Sequence, residues 1–259
     1  MLVFAHLSDI HVDSDARSVD RTRAVMDYLN DLPYDLDAVI VSGDIADHGL
    51  DTEYERARKA LISRHPLLIC PGNHDDRTAF RRVLLGTPGS TAPVNQVRRT
   101  SEYVIVLCDS SIPGRDDGLL DDATLAWLAE ELTQTPETTP VLIGFHHPPV
   151  PLHIPYVDEI RQFGEQRLAD LATRHPNIVA FLAGHAHTAA ATTFAGRPLL
   201  VAPGVVSTLR LPWEDRAHPE DHVHLDQPPA LAFHVIDDER RLTTHYRTVV
   251  QAGRQDPAR

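Results

Sequence analysis

Five short polar clusters stand out by residue type and spacing: Asp9-Ile10-His11, Gly43-Asp44, Gly72-Asn73-His74-Asp75, His146-His147-Pro148-Pro149 and Gly184-His185-Ala186-His187. Their donors are imidazole nitrogens and carboxylate or amide oxygens, with no thiolate. That set suits Zn, Mn or Fe better than Ca or Cu. Asp-x-His and His-x-His spacing lets two side chains project from the same side of an extended segment, so each pair can converge on one ion or on two adjacent ions. Two divalent ions roughly 3.5–4 Å apart would clamp the attacking and leaving oxygens of a phosphoryl group. Singly, the clusters are ordinary. Gly-Asp is a turn dipeptide, Asn73 or Asp75 can cap a helix, and His-His-Pro-Pro can end a strand. Together and in this order, they point to a metal centre for phosphoryl chemistry.

Each cluster directly follows an apolar run that reads as a strand: residues 2–7, 38–42, 66–70, 140–145 and 178–182. In open α/β sheets, sites form outside the carboxyl ends of the strands, so these runs would deliver their polar ends to one rim. Helical spacing of apolar residues predicts helices over 17–32, 52–63, 76–85, 119–132 and 158–173. Residues 86–100, rich in Gly, Pro, Ser and Thr, read as loop or irregular edge, and 103–109 as a further strand. Beyond residue 182 the pattern changes to strands alone, over 189–194, 198–201, 231–236 and 242–249. An α/β front is thus followed by a β-rich back. We expect one domain over residues 1–252 and a frayed tail over 253–259. The Pro- and His-containing stretch 211–229 reads as a solvated loop or a lip over the site.

Composition excludes several partners. The 259 residues carry 24 Lys+Arg against 37 Asp+Glu, a formal net charge of −13. Such a surface repels nucleic-acid polymers and anionic membranes. The only cysteines are Cys70 and Cys108, which rules out a disulfide scaffold and a thiolate zinc site and suggests a reducing cytoplasm. No secretory leader pattern opens the sequence, and no run of about 18 apolar residues exists to span a bilayer. Of the 16 histidines, the ten outside the clusters are scattered or loop-borne and need no special role.

The motif set resembles that of the calcineurin-like metallophosphoesterases, over about residues 2–205. The runs Leu7-Ser8-Asp9-Ile10-His11, Pro71-Gly72-Asn73-His74-Asp75-Asp76 and His146-His147-Pro148-Pro149 look most like the bacterial class III cyclic nucleotide phosphodiesterases, whose near relatives are glycerophosphodiesterases. The resemblance implies a four-layer αββα sandwich of two mixed β-sheets flanked by helices. It also implies two divalent metal ions, Fe, Mn or Zn. Asp9, His11 and His187 would bind one, Asn73, His146 and His185 the other, and Asp44 would bridge them. His146 is assigned over His147 because the family's ligand stands two residues before a proline. His147 would orient a ligand from behind.

By the same resemblance, hydroxide held between the ions attacks phosphorus, and Asn73 stabilises charge on the phosphoryl oxygens. His74 protonates the leaving oxygen or holds the phosphate, and Asp75 fixes the His74 tautomer. Glycerophosphodiesterase relatives carry a His shortly after the last Pro-Gly near the metals. Here Ser207 follows Pro203-Gly204-Val205-Val206, and Ser207, His218, His222 or His224 would have to contact substrate instead. This favours cyclic nucleotides such as cAMP. Glycerophosphodiesterase, phosphomonoesterase and non-catalytic scaffold are the alternatives, the last opposed by a competent donor at every ligand position. A DNA nuclease is opposed by the charge. The resemblance suggests a homo-oligomer, a dimer or higher. Arg17, Arg77 and Arg115, near the motifs, read as surface cations or phosphate contacts.

Overall fold

The computed structural model describes residues 1–214 and 222–250. The chain begins with strands β1 (Leu2–Leu7), β2 (Ala38–Ser42) and β3 (Leu67–Cys70), alternating with helices α1 (Ala16–Asn30) and α2 (Asp51–Ala60). A helical turn, α3 (Arg77–Ala79), widens into a π-turn over Phe80–Leu85 and stops at Gly86. Next come β4 (Gln96–Arg99), β5 (Val104–Leu107), β6 (Gly118–Leu119), α4 (Asp122–Thr133) and β7 (Val141–Gly144). They are followed by α5 (Pro155–Glu159), β8 (Gln162–Phe163), α6 (Glu165–Thr173), β9 (Ile178–Ala183), β10 (Ala190–Phe194) and β11 (Arg197–Val201). The last strands are β12 (Thr208–Leu209), β13 (Val223–His224), β14 (Ala230–Ile236) and β15 (Leu242–Thr248).

One sheet has the order β15-β14-β1-β2-β3, the other β10-β11-β9-β7-β5-β4. Within the first, β1, β2 and β3 are parallel and β14 and β15 antiparallel. Within the second, β5, β7, β9 and β11 are parallel, and β4 and β10 are antiparallel edges. Both sheets are mixed, as expected.

The strands are apolar on both faces because both faces are covered. Phe4, Ile40 and Leu68 of the first sheet meet Ile105, Leu107, Leu142 and Leu182 of the second in a shared core. The alternate residues Ala5, Leu7, Val39 and Val41 pack instead on Val25, Met26 and Leu29 of α1 and on Tyr54 and Ala57 of α2. On the far side, Val106, Ile143 and Phe181 pack on Leu128 and Leu132 of α4 and on Leu168 and Leu171 of α6. The four layers therefore follow from strand alternation plus one apolar stripe on each helix. No helix among the described residues is long and apolar enough to cross a membrane.

Three sequence-based expectations need correction. The 86–100 segment contains β4, an edge strand paired with β5 on one side only, whose polar Gln96-Val97-Arg98-Arg99 pattern concealed it. The expected helix over 158–173 is two helices. Gly164, at φ +69°, breaks it, and Gln162 and Phe163 pair with β6 instead. Within 211–229, β13 pairs with β12, so that stretch is not wholly irregular. His218 lies outside the described residues, as does the expected frayed tail.

Three histidines outside the clusters are buried. His65 accepts the Leu36 amide at Nδ1 and holds the Leu29 carbonyl at Nε2. His6 and His234 are linked at 3.1 Å, and the chain continues to Ser42 Oγ at 2.8 Å and Thr244 Oγ1 at 2.9 Å. Burial pushes His234 down to about 3, and burial with the neighbouring ring pushes His6 well below its ordinary value. Above pH ~6.5 neither folded nor unfolded chain protonates these rings. Below it, the unfolded chain binds protons that the folded chain refuses, so stability falls with pH from ~6.5 towards ~3. The slope approaches about 1.4 kcal/mol per pH unit for each ring. In urea unfolding of metal-free protein between pH 7 and 5, His234→Gln is expected to remove about one ring's share of that slope. A slope identical to wild type would refute this origin.

Candidate metal centre

All five clusters lie at the carboxyl ends of parallel strands, at one end of the two sheets. Backbone hydrogen bonds stitch the segments together. The Asp9 and His11 amides donate to the Gly43 and Asp44 carbonyls, and the Gly184 amide donates to His146 O. The His185 amide donates to the Asp9 carboxylate at 3.1–3.2 Å.

The segments are not extended, contrary to the expectation from spacing. Asp9, His11, Asp44, His185 and His187 have φ of +53°, +39°, +49°, +69° and +50°. This left-handed backbone costs roughly 1–2 kcal/mol per residue. It lets one residue bond to a neighbouring loop through its main chain while its side chain enters the cluster. Two glycines make room. A Cβ on Gly43, itself at φ +99°, would lie 2.4 Å from the His146 ring, and one on Gly72 would lie 2.2 Å from Asp44 Oδ1.

Histidine nitrogens meet in two pairs. His11 Nε2 is 3.2 Å from His187 Nε2, and His185 Nδ1 is 3.2 Å from His146 Nε2. Asp44 Oδ2 lies between the pairs, 3.3 Å from His11 Nε2 and 3.3 Å from His146 Nε2. Asp9 Oδ1 is 3.5 Å from His187 Nε2 and 3.9 Å from His146 Nε2. The opposite nitrogens of three of these rings are engaged elsewhere. His11 Nδ1–H donates to Asp47 Oδ1 at 2.9 Å and His146 Nδ1–H to Ser42 O at 2.7 Å, while His187 Nδ1 pairs with Ser207 Oγ at 2.7 Å. Each Nε2 is thereby turned towards the cluster.

The charges show what the cluster lacks. Burial opposes charge on His146, yet the Asp44 carboxylate holds that ring up to about 9. His11 is likewise raised by Asp44 and Asp47 against burial. Asp44 is held well below the usual carboxylate range by His146 and His11, again against burial. Burial pushes His187 down to about 4 and His185 well below its ordinary value. The carboxylates thus call for more positive charge than the rings supply when neutral. Two buried polar atoms here, Asn73 Oδ1 and His185 Nε2, also have no hydrogen-bond partner. Paired nitrogens, shared carboxylate and orphaned donors fit two divalent cations.

The remaining expected residues are placed as follows. His74 is 41% exposed and packs edge-on against His11. Its amide donates to Asp44 Oδ1 at 3.0 Å, and its Nδ1–H to the Asp47 carbonyl at 2.8 Å. Asp75 does not orient it. The Asp75 carboxylate accepts from the Ile45, Ala46 and Gly72 amides and the Tyr54 hydroxyl, which makes it a brace between loops. His147 is wedged against His146 and His185, with Nδ1 on Ser110 Oγ and Nε2 on Asp116 O. Burial, with the nearby His146, pushes it down to about 3, so it is neutral.

Ser207 is buried, its Oγ meets His187 Nδ1 and so positions that ring, and it also lines the cavity beside His11 and His187. His222 is exposed and stacks on Tyr156, and His224 lies in the β12–β13 ribbon; neither joins the cluster. Of the 211–229 stretch, Leu225 reaches the cavity beside His11 and His187. The arginines are each tied to groups of the protein. Arg17 donates to the Val206 and Leu225 carbonyls, Arg77 pairs with buried Asp109, and Arg115 pairs with Asp117. Sequence reasoning missed Asp47, which holds both His11 and His74. Its only signal was its place on the loop carrying Asp44.

Comparison with known proteins agrees with this architecture. The chain is 32% identical to the glycerophosphodiester phosphodiesterase GpdQ of Enterobacter lignolyticus, over 97% of this chain and 93% of that protein. It is 33% identical to a cAMP/cGMP dual specificity phosphodiesterase of Mycobacterium tuberculosis, over 77% of this chain and 66% of that protein. Among solved structures, a dimetal phosphatase from Danio rerio shares the fold at TM-score 0.68 and 16% identity, covering 96% of each chain. The family model for calcineurin-like phosphoesterases matches residues 2–189, from the first strand to just past His187. A match that runs through every motif in order leaves one conclusion: this chain belongs to the calcineurin-like phosphoesterase family.

Proposed function

We propose that the chain hydrolyses small phosphodiesters at a centre of two divalent cations, with 3′,5′-cyclic nucleotides such as cAMP as substrates. In this reading Asp9, His11 and His187 hold one ion and Asn73, His146 and His185 the other, with Asp44 between them. The position of one oxygen carries it. Asp44 Oδ2 is 3.3 Å from both His11 Nε2 and His146 Nε2, and each of those nitrogens meets a second histidine at 3.2 Å. Two donor sets sharing a carboxylate suit adjacent ions, and iron, manganese and zinc accept such donors. When bound, the ions supply a nucleophile at neutral pH and neutralise charge on the phosphoryl oxygens.

The chain's own residues do the rest. Asn73 carries an amide NH2 that can donate to a phosphoryl oxygen as charge builds there. His74, with Nδ1–H committed to the Asp47 carbonyl, has Nε2 left to protonate the departing oxygen. Asp47, Ser207 and the Ser42 carbonyl keep three ligand rings turned inward. Cys70 and Cys108, both free and buried, support placement in a reducing cytoplasm. The edge strand β15 is the candidate surface for pairing with a second copy.

A second reading, glycerophosphodiester hydrolysis, is favoured by the nearly full-length similarity to GpdQ. Turnover of cAMP, glycerophosphodiesters and bis(p-nitrophenyl) phosphate by metal-reconstituted protein decides between them. The highest kcat/KM is expected for cAMP. A higher value for a glycerophosphodiester selects the second reading, and no turnover of any diester overturns both.

A further inference from the structure

We propose that the cavity beside His74 is the subsite for the departing ester arm. We propose also that it takes an uncharged, hydroxyl-bearing alcohol, a chemistry shared by the ribose of a nucleotide and by glycerol. The inference rests on the phosphodiesterase reading above. The cavity has a volume of about 170 Å³ and runs from Asn73 and His74 along Thr78 and Thr91 to the turn at 111–114. His74 forms part of its wall, so an oxygen protonated by His74 carries its arm into this space.

The charged groups around the cavity are already engaged. Asp75 accepts from three amides and from the Tyr54 hydroxyl at 2.9–3.1 Å. Asp76 Oδ1 caps α3 through the Ala79 amide at 2.7 Å. Arg77 Nε meets buried Asp109 at 2.8 Å, and its two Nη atoms donate to the Thr91 and Ser111 carbonyls at 3.1 and 2.7 Å. What remains to meet an arm is the uncharged set of the threonines, Ile112 and Pro113, beside the second oxygen of exposed Asp76, which repels an anionic arm.

Arg77 has a second effect. It ties its own helical turn to Thr91 and to Ser111, so three wall segments are joined before substrate arrives. An arm bearing phosphate or carboxylate finds no free cation here. The cavity beside His11 and His187, about 340 Å³, gives no alternative: its one cation, Arg17, already donates to the Val206 and Leu225 carbonyls, and Asp13, Asp15 and Asp47 outnumber it and repel an anion.

The test uses metal-reconstituted protein and, beside cAMP, symmetric diesters, for which either arm may depart without ambiguity. Thr91 is exposed and contributes only its carbonyl to the Arg77 tie, so Thr91→Trp narrows the cavity without removing that contact. The variant is expected to raise KM for glycerophosphoglycerol or cAMP about tenfold or more, and KM for dimethyl phosphate less than about threefold. Ile112→Trp narrows the cavity from another segment and is expected to give the same pattern, which covers the case in which Thr91→Trp folds poorly.

In the wild-type protein, KM for bis(2-carboxyethyl) phosphate is expected about tenfold or more above that for glycerophosphoglycerol. The lower wild-type KM between cAMP and glycerophosphoglycerol identifies the ribose or the glycerol arm. Equal KM increases for all diesters, or none for any, overturn the subsite. Equal KM for the carboxylated and glyceryl diesters overturns its uncharged character. A wild-type protein that turns over no diester overturns the phosphodiesterase reading instead.

Discussion

His74→Ala is expected to lower kcat for alkyl diesters by about 10²–10⁴-fold, the usual worth of a general acid, while both metals stay bound. The geometry makes this prediction specific. A backbone carbonyl can only accept, so the Asp47 carbonyl, 2.8 Å from His74 Nδ1, fixes a proton on that nitrogen. The proton given to a leaving alkoxide must then sit on Nε2, which makes the working form of His74 the imidazolium. A p-nitrophenolate leaves without protonation, so bis(p-nitrophenyl) phosphate should lose far less in the variant than an alkyl diester does. Comparing kcat for both substrates in wild type and variant decides the matter. Equal losses on the two substrates, or a variant stripped of metal, would remove His74 from this role.

Asp44→Ala is expected to abolish tight binding of both cations and to cost about 10³-fold or more in activity, since several kcal/mol of Lewis-acid stabilisation is lost with them. Asp9 Oδ1 also faces one ring of each pair, but at the longer distances of 3.5 and 3.9 Å. One Asp44 oxygen lies between the two histidine pairs, and the other holds the His74 amide. Metal content by mass spectrometry after reconstitution is the first readout. The second needs no activity. In metal-free protein Asp44 is what holds His146 up to about 9 against burial. The His146 ring should therefore titrate lower in the variant, with the sign set by loss of a neighbouring negative charge. A variant that still binds two ions tightly would refute the shared-carboxylate arrangement.

Much of the layered fold was legible because its signals are local. The strands over 2–7 and 38–42 match β1 and β2 in full, since a continuous apolar run bounded by polar clusters has few other readings. Errors arose where a distant partner overrode local pattern. β4 is polar and became a strand only because β5 offers a free edge. Gly164 divides a helical pattern because Gln162 and Phe163 pair with β6, 44 residues earlier. His6 and His234 lie 228 residues apart, and only β1–β14 pairing makes them a buried pair. Asp75 and Ser207 were read by type as partners of His74 and of substrate. Their actual partners come from loops that no spacing rule brings near.

The sequence alone determined the kinds of donors, their order along the chain and the strands that carry them. These depend on side-chain chemistry and on apolar runs of a few residues. Tertiary structure alone decided how the donors meet. The left-handed turns at Asp9, His11, Asp44, His185 and His187 are disfavoured locally and are held by hydrogen bonds between loops. Which nitrogen of each ring faces the cluster is likewise set by partners such as Asp47, Ser42 O and Ser207. A motif can name the ligands, but the bonds that aim them form only when five strand ends are brought to one rim.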